Sequence, residues 1–157
     1  RDQLADGETG AFLVWGDPSL YESTLAVVQE VVARGAVALE HEVIPGISAV
    51  HALTARHRIP LNRVGRPVLL TPARLLADGL PDGVDDVVVL LDAGTAFAAL
   101  EDPTDIHIYW GAYLGTEDEI LLSGPLAEIG PEIVRVRAQA KARKGWMFDT
   151  YLLRRHP

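Results

Sequence analysis

Two short turns that combine glycine with a polar side chain are the first candidates for chemistry in this sequence. In the first, the apolar run 12–15 is followed by Gly16 and Asp17. The second turn, 45–49, places Pro, Gly and Ser after the short segment 42–44. Glycine lets the backbone turn tightly or approach a ligand closely, and Asp and Ser offer oxygen atoms at the same place. At each turn, a ligand-binding role and a helix-capping role are therefore both open.

Both turns are expected to join a strand to a helix. The run 12–15 is apolar throughout, as is typical of a strand covered on both faces. Helices are predicted over 19–34, with Tyr21 on the buried stripe and Gly35 as C-cap, and from Ser48 as N-cap to about 57. In open α/β proteins, ligands bind just beyond the carboxyl ends of parallel strands. The two turns should therefore bring backbone N–H groups and small side chains to one edge of a sheet.

The remainder of the chain predicts a second α/β domain with a mixed sheet. We divide the sequence into 1–64, the carboxyl-terminal part of a first α/β domain with a linker, and 65–157, a complete second domain. Since 1–57 supplies two predicted strands where a domain needs several, the first half of that domain is expected to be absent from this chain. Strands are predicted at 67–71, 87–91, 106–110, 119–123 and 147–155, and helices near 73–76, 95–100 and 132–144.

Composition excludes several classes of protein. The 157 residues include no cysteine, which excludes disulfides, thiol catalysis and cysteine metal sites. The five histidines, His156 among them, lack the spacing of metal ligands, so no metal is expected. A net charge of −8 argues against nucleic-acid binding. No apolar run reaches about 18 residues, so neither a membrane span nor a membrane partner is expected, and a cytoplasmic location follows as the default.

Charge is strongly segregated along the chain. Residues 75–134 contain no Lys or Arg, whereas basic residues cluster on both sides of that acidic middle segment. Solvated helix faces and contacts to an anionic partner are both open explanations. The basic residues are Arg56, Arg58, Arg63 and Arg66 on one side, and Arg135, Arg137, Lys141, Arg143, Lys144, Arg154 and Arg155 on the other.

These motifs together resemble the tetrapyrrole (corrin and porphyrin) methylase family. The matching stretches are 16–21, 44–49, and Gly115 with 119–126. The stretches 51–62, 109–115 and 145–155 are similar to the branch of the family that methylates a corrin precursor with loss of acetate during cobalamin synthesis. The resemblance implies two α/β domains with S-adenosylmethionine held between them. It also implies methyl transfer to C1 of an anionic precorrin.

Site residues follow from the matching positions. The resemblance implies cofactor contacts from Trp15, Gly16, Asp17, Leu20, Ser48, Ala49, Leu91, Asp92 and Gly115. Leu91 and Asp92 stand where the family has a Tyr-Met pair, so Asp92 departs from the pattern. Asp17 and Tyr21 are the catalytic candidates, although Tyr21 equally fits core packing. Because precorrins carry many carboxylates and arginine binds carboxylates in a bidentate way, Arg56 and Arg74, together with Tyr21, are the substrate-binding candidates.

A second hypothesis comes from another class of protein. The chain could be a non-catalytic remnant, or an interaction domain that dimerises through the edge of an incomplete sheet, because unpaired strand edges and apolar faces favour association. A homodimer is expected on the same grounds.

Overall fold

A computed structural model describes residue 5 and the ranges 7–35, 38–76 and 79–155. The chain divides into two compact units, Arg1–Ser48 and Ala49–Pro157. The domain boundary predicted after residue 64 stays a prediction. His156 lies outside the described residues. No helix in the described part of the chain is long and apolar enough to span a membrane.

The described residues of the first unit contain one regular helix, α1 (Thr24–Ala33). Its predicted start at residue 19 is wrong, because Tyr21 has a φ of +53°, which a right-handed helix does not allow. Tyr21 is also 47% exposed and so does not belong to a buried stripe. The Glu22 carboxylate instead accepts the Thr24 hydroxyl and, at 2.8 Å, the Thr24 N–H; the hydroxyl first and then the N–H lower the pKa of Glu22. The predicted end is confirmed: Gly35 has a φ of +63° and donates its N–H to the Val32 carbonyl.

The strands predicted at 12–15 and 42–44 are wrong. Both segments lack regular structure, and Phe12, Leu13 and Trp15 are 79%, 96% and 77% exposed. A strand persists only where a neighbouring strand pairs with its backbone N–H and C=O groups. No described residue of the first unit supplies such a partner, so the apolar run is left in an irregular conformation.

The second unit contains a five-stranded mixed sheet, as the sequence predicts. The spatial order is β1-β2-β5-β3-β4, so the last strand of the chain lies in the middle. The strands β1 and β2 are parallel, and all other neighbours are antiparallel. The strands are β1 (Val68–Pro72), β2 (Asp86–Leu90), β3 (Ile106–Ala112), β4 (Ile120–Pro125) and β5 (Asp149–Arg155).

Helices cover both faces of this sheet. The helix α3 (Leu126–Lys144) buries Ile133 and Ala140 in the cluster formed by alternate residues of β2, β3 and β5. The helix α2 (Ala49–His57), whose predicted range is confirmed, packs against β3 and β5. Its Leu53 lies so close to Gly111 of β3 that a side chain at Gly111 would clash with it. Two short 3₁₀ helices, Ala73–Leu75 and Ala96–Ala99, follow β1 and β2.

The helix α3 begins earlier than the predicted start at 132. The predicted range leaves out Gly130 and Pro131, and a proline lacks the N–H that a helix interior needs. In the structure, Pro131 lies inside the helix and Gly130 is buried near Leu126, so packing of the first turns outweighs the cost of the proline.

Many of the segregated charges meet inside the second unit. The Arg154 Nε donates to the fully buried Asp86 at 2.5 Å, and Arg63 contacts the other carboxylate oxygen of Asp86 at 3.3 Å. Further pairs join the acidic middle segment to the basic clusters: Arg63 and Arg66 with Asp85, Arg143 and Lys144 with Asp118, and Arg56 with Glu119. These basic residues are therefore paired with carboxylates of the same chain and not with an external anionic partner.

We predict that Asp86→Ala lowers the free energy of unfolding by about 3 kcal/mol or more, because it leaves the buried Arg154 guanidinium without its counter-charge. Urea denaturation followed by circular dichroism measures this change. The control Arg135→Gln removes an exposed ion pair with Glu132 on α3 and should leave the urea midpoint nearly unchanged. Equal midpoints for the two variants would contradict the assignment of Asp86.

Candidate functional site

The two glycine turns of the first unit lie against each other. The Gly46 N–H donates to Oδ2 of Asp17 at 2.9 Å. The other oxygen, Oδ1, accepts the Ser19 N–H at 2.9 Å and also the Ser19 hydroxyl. Asp17 is half-buried and does not cap α1, which begins several residues later. Its carboxylate therefore ties the 16–19 turn to the 45–46 turn.

Close backbone contact makes glycine necessary in this pair. A Cβ atom at Gly46 would lie 2.1 Å from the carbonyl oxygen of Gly16, far inside any contact distance. Gly16 itself has a φ of +68°. The turns thus lie together, but not at the predicted edge of a sheet, because no strand leads into either one among the described residues of the first unit.

The other predicted cofactor residues of the first unit lie close to these two turns in the sequence. Trp15 is 77% exposed, Leu20 is half-buried, and Ser48 is buried. Tyr21 presents a half-exposed ring from its left-handed backbone conformation. Ala49 is the exposed first residue of α2 and belongs to the second unit.

In the second unit, the predicted site residues share one edge of the sheet. The strands β1, β2 and β3 all run in the same direction, because β5 is antiparallel to both β2 and β3. Their carboxyl ends lead to Arg74, to Leu91 and Asp92, and to Gly115. The strand β5 starts at the same edge, where Asp149 is opposite Ala112.

Asp92 is the most heavily engaged of these residues. Its carboxylate accepts the N–H groups of Gly94 and Ala96 at 2.8 and 2.9 Å, and the buried Tyr151 hydroxyl at 2.8 Å. Burial, reinforced by the negative charge of Asp92, raises the pKa of Tyr151, so the phenol stays protonated and donates. These bonds fix the turn after β2, in which Leu91 has a φ of +55° and is 60% exposed.

A buried ion pair that the sequence analysis missed supports this turn. Arg137 of α3 donates to the Asp92 carbonyl at 2.6 Å, and its Nε donates to Asp149 at 2.8 Å. The Trp110 indole N–H also donates to Asp149, at 2.9 Å. Position 137 lies four residues after Ile133 and three before Ala140, so helical periodicity places it on the buried stripe. That spacing was the signal that could have separated Arg137 from its exposed neighbours.

The turn after β3 is held by Glu119. One oxygen of Glu119 accepts the Gly115 N–H at 2.9 Å, and the other accepts Arg56 Nε at 2.5 Å. The Gly115 hydrogen bond and then Arg56 lower the pKa of Glu119. Gly115 has a φ of +78°, and no atom lies within 4 Å of where a Cβ would stand. The backbone at Gly115 is therefore accessible.

The basic substrate-binding candidates differ in their surroundings. Arg56 is committed to Glu119, whereas Arg74 is exposed and forms no ion pair with another described residue. His57 Nε2 lies 3.0 Å from the Trp110 carbonyl and must donate to it, so this histidine fixes the end of α2. Within the described ranges, no group of three or more His, Asp or Glu residues could hold a metal ion.

Comparison with known proteins identifies the family. The model of the tetrapyrrole (corrin/porphyrin) methylases matches residues 1–130. The chain belongs to this family. The resemblance recognised in the turn motifs is thus confirmed.

Individual relatives point to one branch. A curated precorrin-6A synthase (deacetylating) from Sinorhizobium sp is 53% identical over 153 residues, which are 98% of this chain and 58% of the relative. A crystal structure of a cobalamin synthesis related protein from Corynebacterium diphtheriae is 40% identical with a TM-score of 0.86, covering 92% of this chain and 60% of that one. The chain thus spans less than two thirds of the length of both relatives.

A more distant structure shows the shared fold. The uroporphyrin-III C-methyltransferase from Thermus thermophilus, solved in complex with S-adenosylhomocysteine, has a TM-score of 0.57 at 21% identity. The match covers 88% of this chain and 62% of that one.

We predict that Glu119 titrates below its ordinary value of 4.5. Because the folded-state pKa is lowered, the carboxylate stabilises the turn above pH 4.5, and this contribution is lost as the pH falls through the folded pKa. The amide chemical shift of Gly115 in NMR spectra should follow this titration, and Glu119→Gln should abolish it. A midpoint at or above 4.5 would contradict the hydrogen-bond arrangement.

Proposed function

We propose that this protein is an S-adenosylmethionine-dependent C-methyltransferase of cobalamin biosynthesis. Its reaction is the conversion of precorrin-5 to precorrin-6A, by methylation at C1 with loss of acetate. The observation that carries the proposal is the 53% identity to a precorrin-6A synthase across 98% of this chain.

The residues of the two glycine turns fit a cofactor of this size and chemistry. Gly16 and Gly46 are exposed glycines whose backbones lie in close contact, and Trp15 and Leu91 expose apolar side chains. When bound, S-adenosylmethionine supplies an electrophilic methyl group. The proposed cofactor contacts are Trp15, Gly16, Asp17, Leu20 and Ser48 from the first unit and Ala49, Leu91, Asp92 and Gly115 from the second unit.

The chain's own contribution to such a reaction is positioning. Methyl transfer requires the accepting carbon and the methyl group to be held about 3–3.5 Å apart and in line. The hydrogen bonds of Asp17 to Ser19 and Gly46 hold the turn pair rigid, which supports a positioning role for Asp17. Direct catalytic roles for Asp17 and Tyr21 stay predictions.

The proposed substrate is an anionic precorrin. Arg74 is exposed at the carboxyl end of β1 and can bind a substrate carboxylate, whereas Arg56 already forms an ion pair with Glu119. The hydroxyl of the half-exposed Tyr21 is the third proposed substrate contact. A homodimer, a cytoplasmic location and the absence of a metal stay predictions.

The proposal predicts that the full-length protein binds S-adenosylhomocysteine in isothermal titration calorimetry. Gly46→Ala should weaken this binding at least about tenfold, because the new methyl group would force the two turns apart. The control Gly130→Ala adds a methyl group in α3 at an ordinary 3.4 Å from Leu126 and should bind as the unmodified protein does.

Two outcomes would contradict the account in different ways. If the unmodified protein shows no binding of S-adenosylhomocysteine, the methyltransferase proposal fails. A non-catalytic, dimerising domain then becomes the better explanation, to be checked by sedimentation. If Gly46→Ala binds with unchanged affinity, the turn pair is not part of the cofactor site.

A further inference from the structure

Two large aromatic side chains stand exposed on the segment that precedes β5. Trp146 is 41% exposed and Phe148 is 55% exposed, and their ring centroids lie 5.4 Å apart. Neither residue lies in a helix or strand. Such a pair on an irregular segment would ordinarily turn inward, since burial of an aromatic ring is favourable. The described structure instead holds both rings at the surface.

Tyr113 holds this segment in place through two hydrogen bonds and one ring contact. Its hydroxyl donates to the Trp146 carbonyl at 2.7 Å, and its N–H donates to the Phe148 carbonyl at 2.9 Å. The buried Tyr113 ring meets the Trp146 ring edge to face, with centroids 4.9 Å apart and an interplanar angle of 88°. Tyr113 has a φ of +51°, a costly conformation for a bulky residue, and the surrounding bonds maintain it. The two exposed rings therefore have a fixed backbone beneath them.

The pair lies at the same sheet edge as the proposed site residues of the second unit. It is followed immediately by Asp149, which is opposite Ala112 at the end of β3 and is anchored by Arg137. The Gly115 turn begins three residues after Ala112. The Gly115 turn and the two rings therefore follow or precede strands at the same edge of the sheet.

Positive charge flanks the aromatic pair. The last turn of α3 carries Lys141, Arg143 and Lys144 just before the segment. Arg143 and Lys144 share a single carboxylate, that of Asp118. Burial raises the pKa of the Tyr113 hydroxyl, and the positive charges of Arg143 and Lys144 oppose that rise. A flat ring system that carries carboxylates would match both the exposed rings and this excess of positive charge.

We propose that Trp146 and Phe148 form an aromatic ledge that stacks against the face of the carboxylate-bearing macrocycle, so that they are substrate-binding residues. The proposal rests on the proposed function for the identity of the ring. The adenine of the cofactor is the weaker fit, because it is neutral at pH 7 and gains nothing from the adjacent cations. Stacking fixes the tilt of the macrocycle relative to the strand-end edge, and the cations pair with its carboxylates.

The test uses uroporphyrin I, a tetrapyrrole with carboxylates on every ring, titrated into the full-length protein and followed by porphyrin fluorescence. Trp146→Ala should weaken binding about tenfold, the loss expected for one aromatic stacking contact. Trp146→Phe should restore most of the affinity. Folding should survive, because the Trp146 carbonyl rather than its side chain accepts the Tyr113 hydroxyl.

The matched control is Phe12→Ala, which removes an aromatic ring that is 79% exposed in the first unit and should leave uroporphyrin binding unchanged. Each variant is also titrated with S-adenosylhomocysteine, whose affinity should be unaffected by Trp146→Ala. Loss of uroporphyrin binding alone supports the ledge.

Other outcomes overturn it. Unchanged uroporphyrin affinity in Trp146→Ala, or no uroporphyrin binding by the unmodified protein, refutes the ledge while binding of S-adenosylhomocysteine still supports the methyltransferase. Loss of S-adenosylhomocysteine binding in Trp146→Ala, with uroporphyrin binding intact, assigns the rings to the cofactor. Failure of the unmodified protein to bind S-adenosylhomocysteine counts against the proposed function, whatever the porphyrin titration shows.

Discussion

Two buried ion pairs hold the two ends of the last strand in the middle of the sheet. Arg154 contacts Asp86 near the end of β5, and Arg137 contacts Asp149 at its start. The strand order makes β5 the link between the parallel pair β1-β2 and the antiparallel pair β3-β4. Since an unpaired charge in the interior is very costly, each pair permits one strand position and disfavours register shifts. The second unit is therefore completed only by the last residues of the described chain.

The same arrangement fixes the edge of the sheet at the carboxyl ends of β1, β2 and β3, which is called the strand-end edge here. Hydrogen bonds from side chains of the second unit fix each turn at this edge. Tyr151 bonds to Asp92 in the turn after β2, Glu119 to Gly115 in the turn after β3, and Tyr113 to the segment before β5. Polar groups that would otherwise be free to bind a ligand are used to hold backbone. Among the described residues, this edge leaves accessible the main chain at Gly115, the side chains of Arg74 and Leu91, and the proposed aromatic ledge. Such a surface suits the binding and orientation of a large, flat substrate.

Local patterns in the sequence predicted much of the second unit. The continuous apolar run at 87–91 predicted a buried strand, Ser48 as N-cap predicted the helix at 49–57, and the turn motifs indicated the family. The predictions that are wrong or missing have one cause in common: they depend on partners that are far away in the sequence. The runs 12–15 and 42–44 have strand composition, but strand formation depends on a neighbour that no local pattern reveals. Pairing of Asp86 with Arg154 likewise joins residues that are far apart in the sequence, and the charge pattern alone suggested solvated faces or an external anion.

The central claim is methyl transfer to a precorrin with loss of acetate, and a product analysis tests it most directly. The full-length protein is incubated with precorrin-5 and S-adenosylmethionine that carries an isotopic label in its methyl group, and the products are examined by mass spectrometry. The account predicts that the label appears in the macrocycle and that free acetate is released in equal amount. A macrocycle without label, or a labelled macrocycle that retains its acetyl group, would contradict it.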